Sequence, residues 1–356
     1  MKKNKVVLIL FFYHLVFTII SYQFVVAHKG DSYLYWAKTF NVNQYSWFDF
    51  AGLNTNFILF LNYPFIKLGL PFWFGFVLYS TIGFLGILKF IQWAAFAFGD
   101  SFKFKGINML YIVFLLPNLH FWTATLGKES LIFWGIANIF YAIASQKYKT
   151  FSFIVGSLIV LFIRPHVALM LLAPITLIIL FDSKYSLKKR IRFSVCALAF
   201  LGVLLYMVFQ LSNIRYWNWE RISYFNDYSI LSFKNSGSYV PMLEYNYFYK
   251  IFSFNFRPLF FDANTLWMLF ASIENSIVLL LYGASLFFVV KYYKKINFTQ
   301  CMKIAFLFTF IASMLYVQRY ANLGIFMRTK IMFEPFALVA LFYICIQGLV
   351  LNNTKA

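Results

Sequence analysis

Five short stretches of the chain hold the residues whose types and spacing could do chemistry. The first, His28-Lys29-Gly30-Asp31, directly follows an apolar run and places a carboxylate where it can act as a general base toward a hydroxyl; a plain ion pair with Lys29 is the other reading. In the second, Pro117 to Ser130, proline ends one apolar run, and His120, Lys128 and Glu129 gather before the next. Glu129 there begins a helix whose dipole favours its charge, which leaves Lys128 for a phosphate or, equally, for Glu129 itself. The third, Arg164-Pro165-His166, sits between two apolar runs with almost no intervening loop. Arginine forms bidentate bonds to phosphate oxygens and histidine shuttles protons near neutral pH, although an arginine can also simply snorkel.

The fourth stretch joins Arg257, near the end of a long polar segment, to Glu274, about three turns into the apolar run that follows. A carboxylate at that depth needs a partner such as Arg164, Arg257 or Arg328. The fifth runs from Gln318 to Lys330, with Glu334-Pro335 beyond it, and offers Arg328 and Lys330 to a phosphate. An Arg328–Glu334 surface pair is its ordinary reading. Trp217, Trp219, Tyr245, Tyr247 and Tyr249 suit interface anchors and also rings on which a sugar stacks.

The elements that must position these residues follow from composition. Of 356 residues, 62% are hydrophobic and only 12% charged, and the apolar ones cluster in runs near the roughly 20 residues that cross a hydrocarbon core. This predicts an all-α polytopic transmembrane helical bundle and excludes soluble, disordered and disulfide-stapled classes. Barrel strands alternate apolar and polar, whereas Phe193 to Phe209 is apolar on every face. About ten spans are expected: 6–27, 72–98, 107–119, 130–146, 150–163, 167–182, 193–211, 265–290, 304–318 and 331–350. They form one integral membrane domain over 1–356, with a first outer loop and interfacial helix at 28–70 and a long outer loop at 212–263. Val6 to Val26 reads as an uncleaved signal anchor, its length exceeding a signal-peptide core, with cleavage after Ala27 as the alternative.

A net charge of +20 would suit nucleic acid, yet the basic residues fall in short clusters between apolar runs, so no nucleic-acid partner is expected. Lys2, Lys3 and Lys5, then Lys103 and Lys105, Lys147 and Lys149, Lys184 to Arg192 and Lys291 to Lys303 all land on one side by parity. The positive-inside rule makes that side cytoplasmic, with both termini on it. The other side receives nine of the eleven acidic residues and three of the four histidines, all but His14. The basic residues there run against the same rule, which points to an outward site for an anionic ligand. Cys196, Cys301 and Cys345 lie singly, and no metal spacing is present, so no cofactor is called for and a divalent metal has no support in the pattern.

Asp31 in the first outer loop, the Pro117 to Ser130 segment and the Asn322 to Pro335 segment together resemble polytopic glycosyltransferases of the GT-C class and the related O-antigen or capsular polysaccharide polymerases. The resemblance implies a polyprenyl-phosphate-linked sugar or oligosaccharide donor, a glycan or lipid-linked acceptor, and a bacterial inner membrane location. It also implies Asp31 as base, with Glu129 and His166 as further catalytic candidates. His120, Lys128, Arg164, Arg257, Glu274, Arg328 and Lys330 then bind phosphate or glycan, and Asp49 is a further alternative base. No Walker A loop or dinucleotide-binding glycine pattern competes with that reading. A flippase for the same lipid-linked glycan would also collect arginine and lysine. The charges favour the outer mouth over the midplane, and two similar halves are not evident.

Overall fold

The computed structural model describes residues 3–38, 44–99, 102–104, 107–108, 110–212, 214 and 218–353. Lys2, Asp100, Lys105 and Trp217 lie outside them. The regular structure of the described residues is helical, with a two-residue antiparallel pairing of Lys103–Phe104 with Ile107–Asn108 and an isolated antiparallel bridge between Tyr239 and Asn322. It divides into two compact units, residues 1–100 with 111–165, and 101–110 with 166–356, where the sequence reading treats 1–356 as one domain.

The first unit contains α1 (Lys3–His28), α2 (Gly30–Tyr33), α3 (Thr55–Lys67), α4 (Phe72–Phe98), α5 (Tyr111–Phe114), α6 (Pro117–Ala124), α7 (Lys128–Ser145) and α8 (Phe151–Ile163). A π-helical stretch, Leu34–Lys38, continues α2. Small residues let these helices approach closely, as in membrane bundles where lipid offers no competing hydrophobic drive. A Cβ on Gly83 of α4 would lie 1.9 Å from the Thr123 carbonyl oxygen, and one on Gly135 of α7 would lie 2.6 Å from the Gly156 carbonyl oxygen of α8. Around those crossings Phe90, Trp93, Phe133 and Phe140 are buried edge-to-face or stacked. A helix, α3, lies before Pro71 where the sequence reading expects one, and it packs against the stretch Trp47–Phe50.

The second unit contains α9 (Pro165–Phe181), whose first residue belongs to the first unit, then α10 (Leu187–Leu211), α11 (Trp219–Leu231), α12 (Tyr247–Phe256), α13 (Leu266–Tyr292), α14 (Gln300–Tyr316), α15 (Leu323–Lys330) and α16 (Glu334–Asn353). Side-chain caps start several of them: Asn246, Thr265 and Asn322 each accept the backbone N–H three residues on. The helix α16 is the most enclosed, packing on α13 and α14, and Phe254, Phe308, Phe326, Phe333 and Tyr316 form a ring cluster beside it. The segment expected as the long outer loop, 212–263, contains the two helices α11 and α12.

Among the described residues, five helices are long and apolar enough to cross a membrane: Lys5–His28, Phe72–Phe98, Leu187–Leu211, Leu266–Tyr292 and Glu334–Asn353. Three more apolar helices, Phe151–Ile163, Pro165–Phe181 and Gln300–Tyr316, are shorter. The chain is thus an all-helical membrane protein with five candidate membrane-spanning helices among the described residues, which does not reach the expected count of about ten spans. The expected span 107–119 is interrupted: α5 stops at Phe114, Leu116 leaves helical geometry, and Pro117 starts α6.

Candidate functional site

In the first unit the residues after Gly127 form a buried polar cluster. Gly127 lies just before α7, with extended backbone, and Lys128 and Glu129 occupy the first turn. Glu129, 1% exposed, accepts from Arg164, 8% exposed, at 2.5 Å. Arg164 sits at the end of α8, its backbone N–H bonded to the Val160 carbonyl. Lys128 donates to the Asn54 Oδ1 and, at 2.9 Å, to the Thr55 hydroxyl, and its ammonium lies 5.8 Å from the Tyr35 ring centroid.

The first loop is folded to reach this cluster. Asn54 holds a left-handed φ of 60° just before α3, and its N–H bonds the Phe162 carbonyl at 2.8 Å, two residues before Arg164. The Tyr35 carbonyl accepts from Asn62, whose own oxygen accepts from the buried Tyr79 hydroxyl at 2.7 Å. Asp31, exposed, lies about one turn before Tyr35 on the same continuous helical stretch, so it is carried on the segment that packs against Lys128. Asp49 accepts from the Ser46 N–H at 2.7 Å and closes a capping box. Two cations and one carboxylate thus meet at the start of a helix, whose backbone dipole adds to the attraction for an anion.

His120 is placed elsewhere. The sequence sets it at an outer turn, whereas in the structure it is fully buried against His14 near the middle of α1, because the break before Pro117 turns α6 along α1 and α4. Arg164 and His166, separated in sequence only by Pro165, belong to different units. His166 faces Tyr316 edge-on at 6.0 Å.

The second unit holds its own buried polar group. Lys330, with no exposed surface, donates to the Asn255 carbonyl at 2.7 Å and to the Asn275 Oδ1 at 3.0 Å, and lies 3.8 Å from Glu334. Burial pushes its ammonium below the usual lysine range, while Glu334 and Glu274 oppose that shift. Arg257 bonds both carboxylate oxygens of Asp262 and the Tyr245 hydroxyl. Burial works against its charge, but those bonds outweigh it and hold the guanidinium above its usual range. Arg328 is partly buried in the last turn of α15, and Glu334 is set beside Lys330 rather than carrying the surface pairing read from sequence. Of the aromatic residues, Tyr245 and Tyr249 pack edge-to-face beside Arg257.

Sequence reasoning passed over Asn54, Thr55, Asn255, Asn275 and His14. The asparagines carried a usable signal, since amides beside apolar runs are costly unless they satisfy a buried charge. No group of three His, Cys, Asp or Glu that could hold a metal occurs among the described residues. No protein-family profile, curated protein or solved structure matches the chain.

Proposed function

We propose that this protein is a membrane glycosyltransferase that draws a sugar or oligosaccharide from a polyprenyl phosphate or diphosphate to build a surface polysaccharide or glycolipid, acting as a repeat-unit polymerase or a single transferase. Its setting is a bacterial inner membrane, crossed about ten times with both termini cytoplasmic. What supports the reading is the buried Lys128, Glu129 and Arg164 cluster at the start of α7, with Asp31 four residues before Tyr35, whose ring centroid lies 5.8 Å from the Lys128 ammonium. An acid that can take a proton and cations that can hold a phosphate are there carried on one small set of elements.

In this scheme an acceptor hydroxyl attacks the anomeric carbon, Asp31 takes the hydroxyl proton, and the bond to the lipid phosphate breaks with its electrons leaving on the phosphate oxygen. Lys128, with the Glu129–Arg164 pair behind it, neutralises that oxygen. Within the second unit, Arg257, Glu274, Arg328, Lys330 and His166 are the remaining candidate glycan or phosphate contacts. The test is purified protein in lipid nanodiscs with a polyprenyl-linked glycan donor and acceptor. A new glycosidic bond, lost in Asp31→Asn, is expected. Glycan translocation in vesicles with no new bond would make the protein a flippase instead.

A further inference from the structure

A pair of buried histidines in the first unit lies outside the site described above. His14 Nδ1 is 3.0 Å from His120 Nδ1. The opposite nitrogen of each ring meets a backbone carbonyl: His14 Nε2 lies 3.1 Å from the Ser80 oxygen, and His120 Nε2 lies 2.7 Å from the Phe114 oxygen. All four ring nitrogens therefore have partners, and that fixes the orientation of both rings.

Proton counting then gives a definite result. A carbonyl oxygen only accepts, so each Nε2 must carry a proton, and of the two facing Nδ1 atoms one must donate. These contacts need three ring protons, and two neutral imidazoles bring two. We infer that the His14–His120 pair is a binding site for one exchangeable proton, and that the arrangement seen is its filled form, with a single positive charge held between the two rings.

The surroundings identify the ring that gives the proton up. Phe114 and Leu115 lie at the break between α5 and α6, and in an apolar bundle carbonyls freed by such a break must find donors. His120 Nε2 serves Phe114, and the Tyr13 hydroxyl serves the Leu115 carbonyl at 3.0 Å. His120 thus keeps its Nε2 proton. When the pair empties, His14 retains the Nδ1 proton it donates to His120 and turns a bare Nε2 lone pair toward the Ser80 carbonyl. The clasp between α1 and α4 at that point then weakens to the Thr18–Ser80 hydroxyl bond of 2.6 Å.

A lone imidazolium at this depth would be costly. Here every N–H has an acceptor, and the rings of Tyr13, Phe17 and Phe84 pack around the pair. Among the described residues no charged side chain touches either ring, and Tyr13, beside His120, is the one other titratable group against them.

The test is nitrogen NMR of the full chain, labelled with 15N-histidine, in lipid nanodiscs. His28→Gln with His166→Gln leaves the pair as the only histidines. Three protonated ring nitrogens are expected at the acid end of a titration from about pH 3 to pH 8, falling to two as pH rises in one step felt by both rings. If that double variant fails to accumulate, coupling between the two Nδ1 atoms across their hydrogen bond identifies the pair in the unmodified protein, and the same count is made there. Two protonated nitrogens throughout that range would overturn the proposal.

Discussion

Arg164 and Glu129, 35 residues apart, close a buried ion pair between the end of α8 and the first turn of α7. The two helices cross at Gly135 and Gly156, where backbone meets backbone, so the pair is anchored on a rigid frame. Removing one partner leaves the other charge buried.

Glu129→Ala is therefore expected to destabilise the protein by about 3–5 kcal/mol, and Arg164→Ala by a similar amount. Replacing both with apolar residues of similar size, Glu129→Leu with Arg164→Met, should recover most of that stability in a thermal unfolding assay in detergent. Glycosyl transfer distinguishes structure from chemistry. A stable double variant that remains inactive assigns the pair to the reaction, and full activity reduces it to packing.

The fate of this pair illustrates how far sequence reaches. Apolar runs of membrane-spanning length fix helices such as α4 and α13 because in lipid a backbone has no other way to satisfy its polar groups. The same runs do not say who partners whom. Lys128 reads as free for phosphate or bound to Glu129, and the structure brings to it Asn54 and Thr55, more than 70 residues away, and to Glu129 it brings Arg164. Pairing of this kind depends on helix crossings set by small residues such as Gly83, Gly135 and Gly156, whose spacing leaves no charge signature. His120 was misplaced for a similar reason: Pro117 marks a break, but only the packing decides which way the next turn runs.

Those crossings make a second prediction. Gly83→Ala would drive a methyl group into the Thr123 carbonyl and should cost about 1–3 kcal/mol, read as a lower unfolding temperature. Gly202 in α10 has nothing within 4 Å of its would-be Cβ, so Gly202→Ala should be neutral or stabilise slightly through helix propensity. Equal losses in both variants would remove the close-approach argument.

Lys330 gives a pH dependence whose sign can be worked out. Its ammonium is held below the usual lysine range by burial, so between that lowered value and about 10.4 the unfolded chain binds more protons than the folded one. Stability then rises with pH through that window. Wild type should gain stability relative to Lys330→Met between about pH 8 and pH 10, measured by denaturation at fixed salt. A constant difference between the two proteins would show that the Lys330 ammonium is not held low.

Sidedness is open to a direct chemical test. Asn235 is exposed between α11 and α12, while the adjacent Ser236 accepts from Asn322 and is better left intact. In a chain freed of Cys196, Cys301 and Cys345, Asn235→Cys should react with an impermeant thiol reagent in intact cells, as expected for a loop that the lysine clusters place outside. Labelling only after the membrane is opened would invert the topology and remove the outward site.

The base of the proposed reaction is the last and sharpest test, because its three candidates lead to different expected outcomes. Asp49 is occupied in a cap, accepting from Ser46, so Asp49→Asn should loosen a local turn and leave transfer near wild type. Glu129 is engaged by Arg164, and Glu129→Gln should act mainly through stability. Asp31, exposed and four residues before Tyr35, whose ring lies 5.8 Å from the Lys128 ammonium, is the base in the proposed reaction. Loss of a general base costs about 10²- to 10⁴-fold, so Asp31→Asn should lower turnover by that factor at unchanged abundance and unfolding temperature. Asp31→Glu, which keeps the carboxylate but shifts it by one methylene, should retain a measurable fraction of activity. Were Asp31→Asn as active as wild type while Glu129→Gln, at normal stability, lost turnover, the base would be Glu129 and Arg164 its orienting partner.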